Sequence, residues 1–94
     1  QIAIDPAVGK IVATDIEGQT RRVLANISAL LDAAGLTTKD VVKTTVFITD
    51  IADFAKVNAI YAQTFSSLPP ARSCVEVSAL PSGALVEIEI VAAR

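Results

Sequence analysis

Positions at spacings of three and four, namely Ile16, Thr20, Val23, Leu24, Ile27, Leu30, Leu31 and Ala34, line one side of a predicted helix. Arg21, Arg22, Asn26 and Ser28 fall elsewhere on it and read as a solvated face. Thr14 and Glu17 fit a capping box at its start, and Gly35 ends it as a C′ residue. Upstream, Gln1 to Ile4 read as the end of a strand, followed by a turn from Asp5-Pro6 to Gly9-Lys10. Downstream, Val41 to Thr49 is β-branched and alternating, with Val42, Thr44, Val46 and Ile48 on one face and Lys43, Thr45, Phe47 and Thr49 on the other. Phe47 on the more polar face predicts that something covers that face.

A second helix, capped by Asp50 or Asp53, carries Phe54, Val57, Tyr61 and Phe65 at helical spacing. Asn58 lies beside this stripe as a local hydrogen-bonding group or a ligand contact. Tyr61 reads as a core residue with a satisfied hydroxyl. Pro69 and Pro70 stop the helix and lead into extended chain. Two closing strands alternate: Ser73, Val75, Val77 and Ala79 against Arg72, Cys74, Glu76 and Ser78, then Ala84, Val86, Ile88 and Ile90 against Leu85, Glu87, Glu89 and Val91. The order of elements predicts an α+β domain with two helices covering one sheet face.

If the apolar set of each closing strand packs under the helices, Arg72, Cys74, Glu76, Glu87 and Glu89 share the open face. Leu80-Pro81-Ser82-Gly83 is short enough for an antiparallel hairpin, which puts Arg72 and Glu87 about four residue rises apart, on the order of 13 Å. That span exceeds a substrate of a few heavy atoms. If both act on one molecule, Arg72 of one subunit meets Glu87 of another across the open sheet face. A guanidinium binds a carboxylate through two parallel hydrogen bonds, and a carboxylate beside a cation can hold and polarise a water. Arg72 is thus a candidate anchor and Glu87 a candidate water-positioning group. The plainer alternative is that these charges are solvated surface or inter-subunit ion pairs.

Composition narrows the chemistry. With 94 residues, 52% hydrophobic, the chain is expected to form one domain, and its thin core favours association. It contains no histidine and one cysteine, Cys74, which excludes within this chain a Ser-His-Asp triad, a histidine-ligated zinc, a multi-thiolate metal site and an internal disulfide. Without a histidine base, Cys74 reads as a spectator or a backbone-amide donor before it reads as a nucleophile. The net charge is −2 with no basic stripe, so no nucleic-acid partner is expected. No apolar run or leader implies a membrane, and the expected setting is soluble and cytoplasmic.

The motifs Pro70-Ala71-Arg72-Ser73-Cys74-Val75-Glu76-Val77, Leu80-Pro81 and Val86-Glu87-Ile88-Glu89 resemble the signature of the RidA family, also called the YjgF or L-PSP family. The likeness continues upstream through Ala33-Ala34-Gly35-Leu36, Val41 to Phe47 and Asp53 to Asn58, and reaches Gln1. The resemblance implies a chorismate-mutase-like fold, a homotrimer with clefts between subunits, and hydrolysis of reactive 2-imino acids, such as 2-iminobutanoate and 2-iminopropanoate, to 2-keto acids and ammonia. It implies no metal or organic cofactor. It assigns carboxylate binding to Arg72, water positioning to Glu87, and places in the pocket to Cys74 and Asn58. Full-length members begin further upstream with a strand pair carrying GPYSQA and SGQ motifs, of which only Gln1 stands here. The expectation is therefore a single RidA-like domain, residues 1–94, shortened at its N-terminus, with an exposed sheet edge. Competing readings on the same fold are a non-catalytic, chaperone-like or carboxylate-binding scaffold, and, less favoured, an endoribonuclease or translation inhibitor.

Overall fold

A computed structural model describes residues 1–66 and 69–94. A short hairpin pairs β1 (Ile4–Asp5) with β2 (Lys10–Ile11), the turn between them closing on Gly9 at φ 78°. Helix α1 (Ile16–Ala33) follows, capped by Asp15, whose carboxylate accepts from the Gly18 amide, so the Thr14–Glu17 capping box does not form. Asp15 is one residue nearer the helix, and its ionised oxygen suits the positive helix end better than a hydroxyl does.

Ile16, Thr20, Val23, Leu24, Ile27 and Leu31 are buried as the periodicity predicts, whereas Leu30 and Ala34 at the far end of the stripe are exposed. Gly35, at φ 72°, closes α1 with the Leu36 amide donating back to Leu31. Arg94 completes this end: its Nη2 donates to the carbonyls of Ala34 and Gly35 at 3.1 and 3.2 Å. A β-carbon at position 35 would lie 2.8 Å from that nitrogen, so glycine serves both the turn and the seat of Arg94.

Strand β3 (Val41–Ile48) is central, and helix α2 (Phe54–Thr64) leads from it to β4 (Ala71–Glu76), which runs parallel to β3. Asp50 caps the 3-10 turn Ile51–Asp53 by accepting from the Ala52 amide, and Asp53 precedes α2 without a side-chain bond. Strand β5 (Val86–Ala92) pairs antiparallel with the other edge of β3, giving the order β4-β3-β5. On the outer edge of β5, Gln1 and Ile88 exchange main-chain hydrogen bonds.

The sequence-based hairpin between the last two strands is therefore incorrect: β3 lies between them. The segment Leu80–Gly83 belongs to a crossover past the end of β3, where Ser82 and Gly83 take left-handed φ of 57° and 68°. Buried Gln19 steadies that crossover, accepting from the Leu85 amide at 2.9 Å and donating to the Ala13 carbonyl at 3.0 Å.

The helices cover the face made by Thr44, Val46 and Ile48 of β3 with Val86 and Ile88 of β5, all fully buried. Val42, assigned to the same face by alternation, is 52% exposed. A register shift between Val41 and Lys43 removes it from the ladder, and Val41 takes the buried place. Val57, Ile60 and Tyr61 of α2, with Phe65 just beyond its end, complete the core, Ile60 adding to the predicted stripe.

Candidate active site

Register decides where the charges go, because residues paired across a ladder project to the same side. Arg72 pairs with Thr44 and Cys74 with Val46, which places Arg72, Cys74 and Glu76 on the helix side of the sheet. Glu87 pairs with Phe47 and Glu89 with Thr45, which places both glutamates on the open side. The expectation that all five share the open face thus holds for β5 and fails for β4, whose Ser73 and Val75 face outward instead, Val75 being 42% exposed. Arg72 and Glu87 stand two strands and three residues apart, roughly 14 Å at sheet spacings, and on opposite faces. One chain cannot bring both to a small molecule. Nor does Arg72 reach a neighbour across the open face, since it is not on that face.

Arg72 points to α2. Its Nη1 donates to Asn58 Oδ1 at 2.5 Å, and its guanidinium carbon lies 4.8 Å from the centre of the Tyr61 ring and 5.5 Å from that of Phe54. Beneath it, Tyr61 stacks at a tilt on Phe65, with ring centres 4.7 Å apart, and its hydroxyl bonds that of Thr44 at 2.6 Å in the buried core. Tyr61 is thus the core residue with a satisfied hydroxyl that the sequence predicts, and it also forms the floor under the arginine. Asn58, left open between two roles, is a hydrogen-bonding partner of Arg72.

A cleft of about 410 Å³ opens beside this group, bounded by Arg72, Asn58 and Tyr61 together with Ala62, Phe65, Ser66 and the two prolines Pro69 and Pro70. A cation at the rim of a mostly apolar wall suits a small organic anion, held by its charged end. A groove of about 470 Å³ along α1, between Asp5, Arg21 and Arg22, is slightly larger but gathers none of the residues singled out by motif. The smaller cleft is the better candidate, because a held cation and an amide converge there.

Cys74 is half-buried beside Arg72. Burial pushes its thiol up, only partly offset by the Arg72 guanidinium, so it is protonated near neutral pH and is a poor nucleophile. Glu76 is occupied structurally: Oε1 accepts from the Ile51 amide at 2.7 Å and ties the end of β4 to the turn before α2. Among the described residues no cluster of three or more potential metal ligands occurs. Glu87 is half-buried on the open face at the level of Phe47.

Sequence reading missed the aromatic floor of the site. The signal was present: a strand, a helix and a strand in succession predict a parallel pair joined by a crossover. That order puts the strand of Arg72 beside the strand of Thr44, under the same helix.

The sequence pattern of the family described as Endoribonuclease L-PSP matches residues 1–94. This chain belongs to the L-PSP family. Among its relatives, a RutC family protein of Pyrococcus horikoshii is 54% identical over 98% of this chain and 73% of the relative. A protein of Salmonella typhimurium named 2-iminobutanoate/2-iminopropanoate deaminase is 50% identical over the whole of this chain and 75% of its own length. Among solved structures, a putative endoribonuclease of Thermotoga maritima superposes with a TM-score of 0.96 at 47% identity, covering 100% of this chain and 74% of that one. E. coli TdcF with bound serine gives 0.93 at 45% identity, covering 100% and 76%. The chain thus spans about three quarters of these L-PSP relatives, and its α+β architecture is the Rid/YjgF one.

Proposed function

We propose that this protein hydrolyses reactive 2-imino acids such as 2-iminobutanoate and 2-iminopropanoate to 2-keto acids and ammonia. The observation that carries the reading is the Arg72 guanidinium, fixed by Asn58 and two aromatic rings at the rim of a small cleft. The deaminase name of the Salmonella relative and the serine bound to TdcF, itself a small amino acid, support it.

Arg72 takes the substrate carboxylate through its remaining N–H groups, which orients the adjacent C=N carbon. Water adds to that carbon, the π pair of the C=N bond moves to nitrogen, and the nitrogen takes a proton. In the resulting carbinolamine the nitrogen takes a second proton, and as the hydroxyl gives up its own proton the carbonyl forms and ammonia leaves. Glu87 of a second copy holds the attacking water and accepts its proton. Since Arg72 and Glu87 lie on opposite faces, they belong to different patches of one surface, and copies joined through them meet head to tail. Such contacts close into a ring when the rotation between copies allows it, and a ring of three copies is the reading we adopt. The single cysteine, unpaired within the chain, suits a reducing compartment such as the cytoplasm. Ten acidic against eight basic residues oppose a polyphosphate substrate, so the ribonuclease description of the family is not adopted for this chain.

With 2-iminobutanoate generated in situ, its decay is expected to be faster with the wild-type protein than in buffer, and Arg72→Ala to return it to the buffer rate. A wild-type decay equal to that in buffer overturns the proposal.

A further inference from the structure

The polar pair buried under Arg72 is not required by packing. Thr44 is the ladder partner of Arg72 and fully buried, and the strand around it contributes Val41, Val46 and Ile48 to an aliphatic core. Valine at 44 would fill nearly the same volume, and phenylalanine at 61 the same ring space. Two hydroxyls buried there must satisfy one another, which they do at 2.6 Å. What the bond adds is a tether between the far end of the Tyr61 ring and β3, while Phe65 braces the ring from the side.

The consequence falls on the guanidinium. Asn58 accepts from Nη1 and so limits rotation within the guanidinium plane. The Tyr61 face, 4.8 Å below, sets the tilt of the plane itself. Arg72 is exposed on an edge strand, so without both constraints its long stem samples many rotamers. We infer that Tyr61, locked by Thr44, is a positioning residue for Arg72, so that the buried hydroxyl pair sets how well the site holds a carboxylate. This inference rests on the reading of Arg72 as carboxylate anchor given above.

Thr44→Val keeps the volume and removes the lock, whereas Thr44→Ser keeps the lock and removes a buried methyl. In Thr44→Val, KM for 2-iminobutanoate is expected to rise about fivefold with kcat changed less than twofold, as loss of binding common to ground and transition states requires. In Thr44→Ser, KM stays at the wild-type value although the protein melts at a lower temperature. Relaxation of the Arg72 Nε–H by NMR, without ligand, is expected to show lower order in Thr44→Val and wild-type order in Thr44→Ser. Thr44→Val/Tyr61→Phe removes both hydroxyls and recovers the melting temperature, yet KM remains raised.

KM values that follow melting temperature in place of the hydroxyl overturn the inference, as does a double variant with wild-type KM, or Arg72 order unchanged by Thr44→Val. If the wild type neither hydrolyses the imine nor binds 2-oxobutanoate, the proposed function falls instead. The order of Arg72 in the two single variants then decides the positioning role by itself.

Discussion

The two strands flanking β3 carry nearly the same alternation and put it to opposite use. On β5 the aliphatic residues Val86 and Ile88 face the helices, and Glu87 and Glu89 face outward. On β4 it is Arg72 and Cys74 that face the helix layer, while Ser73 and Val75 face outward. Strand β5 lies under both the core and α1, where any polar group would be stranded without water. Strand β4 is an edge under the rim of α2, where a guanidinium can spread over aromatic rings and still reach solvent. A pattern of alternation thus identifies two faces, and the position of the strand in the sheet decides which face holds the core.

Cutting into β5 is the harshest way to test this contrast. Ile88→Ala, at a fully buried site, should lower stability by about 3 kcal/mol, read as a fall of roughly 10–20 °C in Tm. On β4, Arg72→Ala should cost no more than about 1 kcal/mol in a denaturant titration, because the exposed guanidinium loses only its two ring contacts and one hydrogen bond. Val75→Ala should change stability by less than about 0.5 kcal/mol in the isolated chain. A larger effect in the assembled protein would locate Val75 in a contact between copies.

The gentlest test uses Cys74. Its folded thiol keeps its proton to higher pH than the unfolded one, so this contribution is complete below the ordinary thiol range and is lost as pH rises through the folded value. Cys74→Ser should flatten that alkaline fall in stability, measured by Tm across the pH series. Iodoacetamide at neutral pH should label Cys74 more slowly than a free cysteine.

Much of this was legible in the chain. The α1 stripe from Ile16 to Leu31, the Gly35 stop, the β3 alternation after the bulge and the inward set of β5 all follow from local periodicity. The face of β4 was not legible from its own residues, because Ser73, Val75 and Val77 form as plausible a core set as any. Only the pairing across α2, a contact between residues more than twenty-five positions apart, turns Arg72 inward. The same non-local step put β3 between β4 and β5 and displaced the short hairpin. Thr14 and Asp15 show the local limit: both are good caps, and one residue of phase decides between them. For the site, motif likeness selected Arg72 and Asn58, but Thr44, Phe54 and Tyr61 carry no polar motif and emerge only where three elements meet.

The hold of Arg94 on the end of α1 has a bearing on the order in which the chain folds. The helix has no basic residue in its own last turn, and its cation arrives from 60 positions downstream. On a growing chain, and in refolding, α1 can form early, but its final turn stays without that partner until β5 has found β3. In pulsed hydrogen exchange, the amides around Ala34 and Gly35 should therefore acquire protection together with β5, later than those in the middle of the helix they terminate.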